Sequence, residues 1–350
     1  MNFWKQSWLL TGALLIGCGL PGILLAQTKT GKPARPKANP TISSVNAEAV
    51  LWWLPPDTET LFVAQGPFRL TRATPATSLE RLFEKSLQVM AMASLGGKED
   101  DPMGKELLGA PVDLVVEGAR NFRAPKNLGG MPFDGCQIVV FGREFGSRGD
   151  ALMKSLEERA EKKLEIDGFR VLLNNEQLED DLWEFYVVRP KPNVFIVSTQ
   201  EGYLKETLNR INQKALARAL PEDLPEWKYV DRKTRVWAVR HFDKRREESD
   251  PSSPFGGRKS ANVRDEEAIG LAFSYSAVPG RIATVYYLSN NKNAVSIAKE
   301  FWSHPSDNLT PRVRQFTPGV VEVSVKLADE DVLSMLIFVL MGAFGHGVYL

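Results

Sequence analysis

EFYVVRPKPNVFIVS, residues 184–198, decides how this chain is read. Two runs of β-branched and aromatic residues flank RPKPN, where proline and asparagine favour a turn. The stretch is therefore a hairpin, two strands joined without a helix between them. Parallel neighbours need a long crossover, so a doubly wound parallel sheet is disfavoured from the outset.

Outward from the hairpin, strand signals recur at TLFVAQ (60–65), VDLVVEG (112–118), QIVVFG (137–142), FRVLL (169–173), RVWAV (235–239), GLAFSYS (270–276), IATVYYL (282–288) and VVEVSVKL (320–327). In the last, Val321, Val323, Val325 and Leu327 alternate with Glu322, Ser324 and Lys326, the pattern of an antiparallel strand with one face in water. Helical spacing appears in SLERLFEKSLQVMAMASL (78–95), at Leu204, Leu208 and Ile211, and at Ala294, Ile297, Ala298, Phe301 and Trp302. A weaker helix follows Asp150 through Leu152 and Leu156. Thr77 with Glu80, and Ser198 with Glu201, stand at capping-box spacing. The expected class is α+β, with mostly antiparallel sheets, packed helices and two related halves.

The halves are suggested by a recurrence. Trp53, Asp57, Thr60, Ala64 and Phe68 return as Trp227, Asp231, Thr234, Ala238 and Phe242, all at one offset. The expected division is 46–220 and 221–350, meeting at the turn-rich LPEDLPEW (220–227). Within the second half, 243–267 is too charged and too rich in Gly, Pro and Ser to pack, and is expected to be a mobile loop.

The N-terminus reads as an export signal over residues 1–26: Lys5, an apolar run from Trp8 to Ile16, helix breakers at Gly17, Gly19, Pro21 and Gly22, then Ala26. Two alternatives stand beside cleavage after Ala26. Leu15, Ile16, Gly17 and Cys18 resemble the lipobox of bacterial lipoproteins, making Cys18 the candidate lipidation residue. The segment is otherwise retained as an anchor, although Lys29, Lys32, Arg35 and Lys37, with no acid before Glu48, resist translocation as a simple N-in anchor. Residues 27–45 are a Pro/Lys-rich linker that buries little apolar area.

Composition bounds the function. The 350 residues are 43% hydrophobic and 25% charged, with a formal net charge of +1. That balance disfavours nucleic acid as a partner, because phosphate neutralisation calls for a basic excess. The two cysteines are Cys18 and Cys136, so cleavage of the leader leaves no intramolecular disulfide. Cys136 lies in a strand and reads as a buried thiol.

LPPDTETLFV, residues 54–63, resembles the LPxDT opening of uncharacterised exported bacterial proteins, in which it leads into the first strand of an α+β domain. The resemblance implies export and brings no activity with it. On their own chemistry, Pro55 and Pro56 fix an extended approach while Asp57 and Thr58 bond nearby backbone, a structural turn.

No catalytic spacing emerges. His241, His304 and His346 are far apart, and HExxH, paired cysteines, a Walker sequence and GxGxxG are all absent from the sequence. No catalytic, cofactor or metal residues are assigned. GREFGSRGD (142–150), between a strand and a helix, makes Gly146 and Gly149 candidates for anion contact through backbone N–H groups. Glu176, Glu179, Asp180 and Asp181 read as a solvated turn. Trp52 and Trp53 offer a sugar-stacking platform, but the recurrence of Trp53 as Trp227 favours packing. VLSMLIFVLMGAFGHGVYL (332–350) carries no formal charge, and as a helix of about 28 Å it is either buried or in lipid.

Two function classes follow: an exported, envelope-associated, non-enzymatic protein that binds another protein or an envelope polymer, or an exported hydrolase whose site is assembled from distant residues. Membrane contact is expected through the N-terminal segment or residues 332–350.

Overall fold

Strand follows strand along the chain, and every neighbouring pair is antiparallel. The computed structural model describes residues 45–69, 87, 107, 109–120, 134–178, 181–213, 217–242, 268–276, 280–303 and 310–327. The strands are β1 (Thr60–Arg69), β2 (Pro111–Arg120), β3 (Asp134–Phe141), β4 (Lys162–Ile166), β5 (Phe169–Leu178), β6 (Asp181–Lys191), β7 (Val194–Ser198), β8 (Val236–His241), β9 (Ala268–Ser276), β10 (Ile282–Ser289), β11 (Pro311–Thr317) and β12 (Val320–Lys326). Helix α1 (Ala47–Trp53) precedes β1, and α2 (Gly146–Arg159), α3 (Glu201–Asn212) and α4 (Ala294–Trp302) run between strands.

The strands form one twelve-stranded sheet in the order β11-β12-β10-β9-β8-β1-β2-β3-β7-β6-β5-β4. This corrects the expected fold class. The chain is dominated by a single antiparallel sheet with few helices, not by an α+β arrangement of two sheet-and-helix halves. The reason lies at the seam, where β1 pairs with β8 from Thr60↔Arg240 to Ala64↔Val236. Two strands placed in separate halves by sequence thus share backbone hydrogen bonds, and the sheet runs through without a break. On each side of that seam three strands meander outward, a helix follows, and the chain returns to pair with the third strand. The return is made through β7 of the four strands β4 to β7 on one side and through β12 of the hairpin β11–β12 on the other.

Period-two alternation gives the sheet two apolar faces. One carries Phe62, Ala64, Val139, Phe195, Phe273 and Val323, and is packed by Leu152 and Leu156 of α2 and by Ala298 and Trp302 of α4. The other carries Leu61, Val63, Ile138, Ile196 and Val239, and is packed by Val50 and Leu51 of α1 and by Leu204 and Leu208 of α3. Because the central strands are covered twice, β7 is buried along its whole length and β3 over all but its first residue. Cys136 of β3 is a free, buried thiol, and burial pushes its pKa well up.

The hairpin is formed by β6 and β7, tighter than expected, with Arg189, Pro190 and Lys191 inside β6. Two local expectations change. Ser198 does not cap α3: its hydroxyl lies 2.8 Å from the Gly135 carbonyl and 2.9 Å from the Gln200 carbonyl, both acceptors for its one proton, so it ties the strand end to β3 instead. Glu322 does not face open water, because Arg314 of β11 grips it through two bonds of 2.9 Å. The described part of 78–95 is Leu87, helical and buried. The leader with Cys18, the linker up to residue 44, the loop 243–267 and the segment 332–350 lie outside the described residues. Among those described, no helix is long and apolar enough to cross a membrane.

Candidate functional site: the Trp52 groove

α1 starts at Asn46, whose side-chain oxygen accepts from the N–H of Ala49 at 2.8 Å. It stops at Leu54 because a residue before proline is driven out of the helical region, and Pro55 and Pro56 follow. Val50, Leu51 and Trp53 face the sheet. Successive helical residues point about 100° apart, so the Trp52–Trp53 pair is split: Trp53 is buried under Lys191, while Trp52 is 39% exposed.

Beside Trp52 lies an open groove of about 310 Å³, lined by Trp52, Ala217, Arg218, Pro221 and Glu222. Its walls are tied to each other. The N–H of Ala219 donates to the carbonyl of Leu51 at 2.8 Å, joining the far wall to α1. Arg218 Nη1 bonds Glu48 of α1 at 2.8 Å and Glu222 at 3.0 Å, and its guanidinium stacks 5.0 Å from the Trp227 ring. Trp227 Nε1 in turn donates to the carbonyl of Pro221 at 2.8 Å. The groove is thus preformed, with the Trp52 indole on the α1 wall and Arg218 and Glu222 on the other, Arg218 being held across to α1 by Glu48.

Several titratable groups elsewhere among the described residues are engaged in holding the fold. Arg120, at the end of β2, meets Asp57 at 2.5 Å and Glu206 of α3 at 2.7 Å, with Asp134 at 3.9 Å. Burial opposes its charge, but the bonds from Glu206 and Asp57 prevail and raise its pKa further. Thr58 completes the LPPDT turn. Its N–H and hydroxyl both donate to the Pro55 carbonyl, and its hydroxyl lies 2.8 Å from that of buried Tyr203. Asp57 is therefore a partner of Arg120 within a structural turn. His241 Nδ1 lies 2.8 Å from buried Glu226, which fits because Gly270 opposite has no side chain. Glu117 has its pKa pushed up to about 7 by burial.

Gly146 and Gly149 are placed at the first turn of α2, directly after a helical turn over Arg143–Phe145. The Gly146 carbonyl accepts from Arg189 Nη2 at 2.8 Å. A Cβ at Gly149 would stand 2.7 Å from the same nitrogen. The bare Gly149 and the Gly146 carbonyl thus seat Arg189 of the β6–β7 hairpin on the helix. Glu176 and Asp181 belong to β5 and β6 rather than to a free turn, and residues 179 and 180 between them lie outside the described set, as do His304 and His346. Among the described residues, no group of three or more His, Cys, Asp or Glu is placed to hold a metal ion.

No family model, curated protein or solved structure matches the chain. Sequence reading missed Arg218, Pro221 and Glu222 as site residues. The local signal for Pro221 and Glu222, the turn-rich LPEDLPEW, also fits a domain boundary, and Arg218 lies just before it. The groove's lining contains no histidine, and its carboxylate Glu222 goes to Arg218, which Glu48 beside the groove also holds.

Proposed function

We propose that this chain is an exported, envelope-associated protein that acts by binding, and that it engages an envelope polymer or another protein through the Trp52 groove. The observation that carries the reading is an exposed indole on one of two walls that hydrogen-bond each other, a surface ready to bind without reorganisation. The leader over residues 1–26 supports export, with Cys18 as the lipid attachment point if processing occurs there. The alternative, an exported hydrolase, requires an acid and a base free to exchange protons at a cleft. In this groove the lining carboxylate, Glu222, is bonded to Arg218.

The test is a photo-crosslinking amino acid at exposed Glu222, compared with one at exposed Glu158 on α2, which packs the opposite face. Cells are fractionated and the chain's intact mass is measured. Envelope-fraction adducts from position 222 alone, on a chain shortened or lipidated at its N-terminus, support the proposal. An unprocessed cytosolic chain defeats the export reading, and equal adducts from both positions defeat the groove.

A further inference from the structure

The groove's chemistry specifies more than binding in general. An indole presents a flat apolar surface that covers the C–H face of a sugar ring, while hydroxyls around that ring both donate and accept. The Trp52 groove supplies both halves of this match. Trp52 gives the flat surface, and the wall opposite offers the acceptor Glu222 beside the donor Arg218, which Glu48 of the Trp52 helix also holds.

Charge narrows the class further. Arg218 and Arg232 are balanced by Glu48 and Glu222, and Glu48 also reaches Arg232 at 3.5 Å. A strongly anionic or cationic ligand gains nothing from a rim whose charges already cancel, whereas a neutral polyhydroxylated one replaces water at each of them. Rigidity points the same way. The Leu51–Ala219 bond and the Trp227–Pro221 bond fix the spacing of the walls, as shallow recognition of a stiff polymer needs.

We infer that the Trp52 groove binds a neutral saccharide unit of an envelope polymer, stacked on the indole and hydrogen-bonded by Glu222 and Arg218 of the facing wall. This rests on the binding function proposed above and names its ligand class.

The test is isothermal titration of the leaderless chain with chitohexaose and with cellohexaose, beside a proline-rich peptide and polygalacturonate. One of the neutral oligosaccharides is expected to bind. Trp52→Ala weakens that binding about tenfold or more, as loss of a central aromatic anchor does, while Trp52→Phe retains most of it. Trp52→Leu keeps apolar bulk without the ring and is expected to fall with Trp52→Ala. Melting of each variant is followed in parallel, and Glu222→Gln, at an exposed position, supplies a reading independent of any tryptophan change, with binding weakened about threefold. Failure of both neutral oligosaccharides to bind, or binding indifferent to Trp52→Ala and Trp52→Leu, overturns the saccharide assignment. Preferential binding of the peptide or of polygalacturonate also overturns it. In each case adducts at position 222 still decide separately whether the groove binds anything.

Discussion

Asp57, in the turn after α1, sets its carboxylate 2.5 Å from the guanidinium of Arg120 at the end of β2. Glu206 approaches the same guanidinium from α3, so one arginine joins the turn that follows α1, the sheet and a covering helix. Removing the cation leaves the two acids facing each other. Both are partly exposed and can rehydrate in part, so Arg120→Met is expected to cost about 2–3 kcal/mol, below the range for a fully buried pair. Denaturant unfolding measures it.

Thr58 and Tyr203 share a buried hydroxyl contact of 2.8 Å across the same junction. Tyr203→Phe is expected to lose about 1 kcal/mol, and Thr58→Val a similar amount. The double variant should lose less than the sum, because either change already breaks the shared bond. Additive losses in a double-mutant cycle would show that the contact is not made.

Glu117 carries a carboxyl pushed up to about 7 from an ordinary 4.5, because burial penalises its charged form. The sign follows directly: folding favours the protonated state, so its stabilising influence is complete below about pH 4.5, is lost as pH rises toward 7, and is absent above. Relative to Glu117→Gln, the native chain is expected to weaken by about 1–3 kcal/mol across that window, with the low end favoured because the residue is not wholly buried. Melting curves of both proteins from pH 4 to pH 8 give the difference.

Gly270 lies where a Cβ would stand 1.9 Å from Glu226 Oε1 and 2.5 Å from the Arg240 carbonyl oxygen. Gly270→Ala is therefore expected to destabilise by about 2–4 kcal/mol through forced displacement of a buried carboxylate and a strand. Glu226→Ala in the same chain should recover only part of this, since the backbone clash remains. Thermal denaturation of the single and double variants separates the two contributions.

Much of the sheet was legible because its central strands are covered on both faces, so runs such as QIVVFG and NVFIVS are nearly uninterrupted apolar stretches. β4 (KKLEI) and β11 (PRVRQFT) were not. They are the sheet's two edges, where lysine, arginine and proline guard against pairing with another chain and break the apolar alternation. The fold class was misjudged for a different reason. α3 and α4 have clear helical spacing, but nothing local records that Val63 pairs with Trp237, the contact that turns two expected halves into one sheet.

The site was half legible. Adjacent tryptophans on a helix cannot both face one core, and the recurrence of Trp53 marks it as the inward member, leaving Trp52 outside. That Arg218 and Glu222 form the opposite wall depends on a hydrogen bond between Ala219 and Leu51, residues far apart in sequence. Cys18 and 332–350 bear on the envelope proposal and lie outside the described residues.

The most direct measurement of the binding account is co-sedimentation of the leaderless chain with isolated cell envelopes, at physiological salt, for the native protein and for Trp52→Ala. The account predicts that native protein pellets with the envelopes while the variant, equally folded, stays largely in the supernatant. Equal pelleting of both, or of neither, contradicts it.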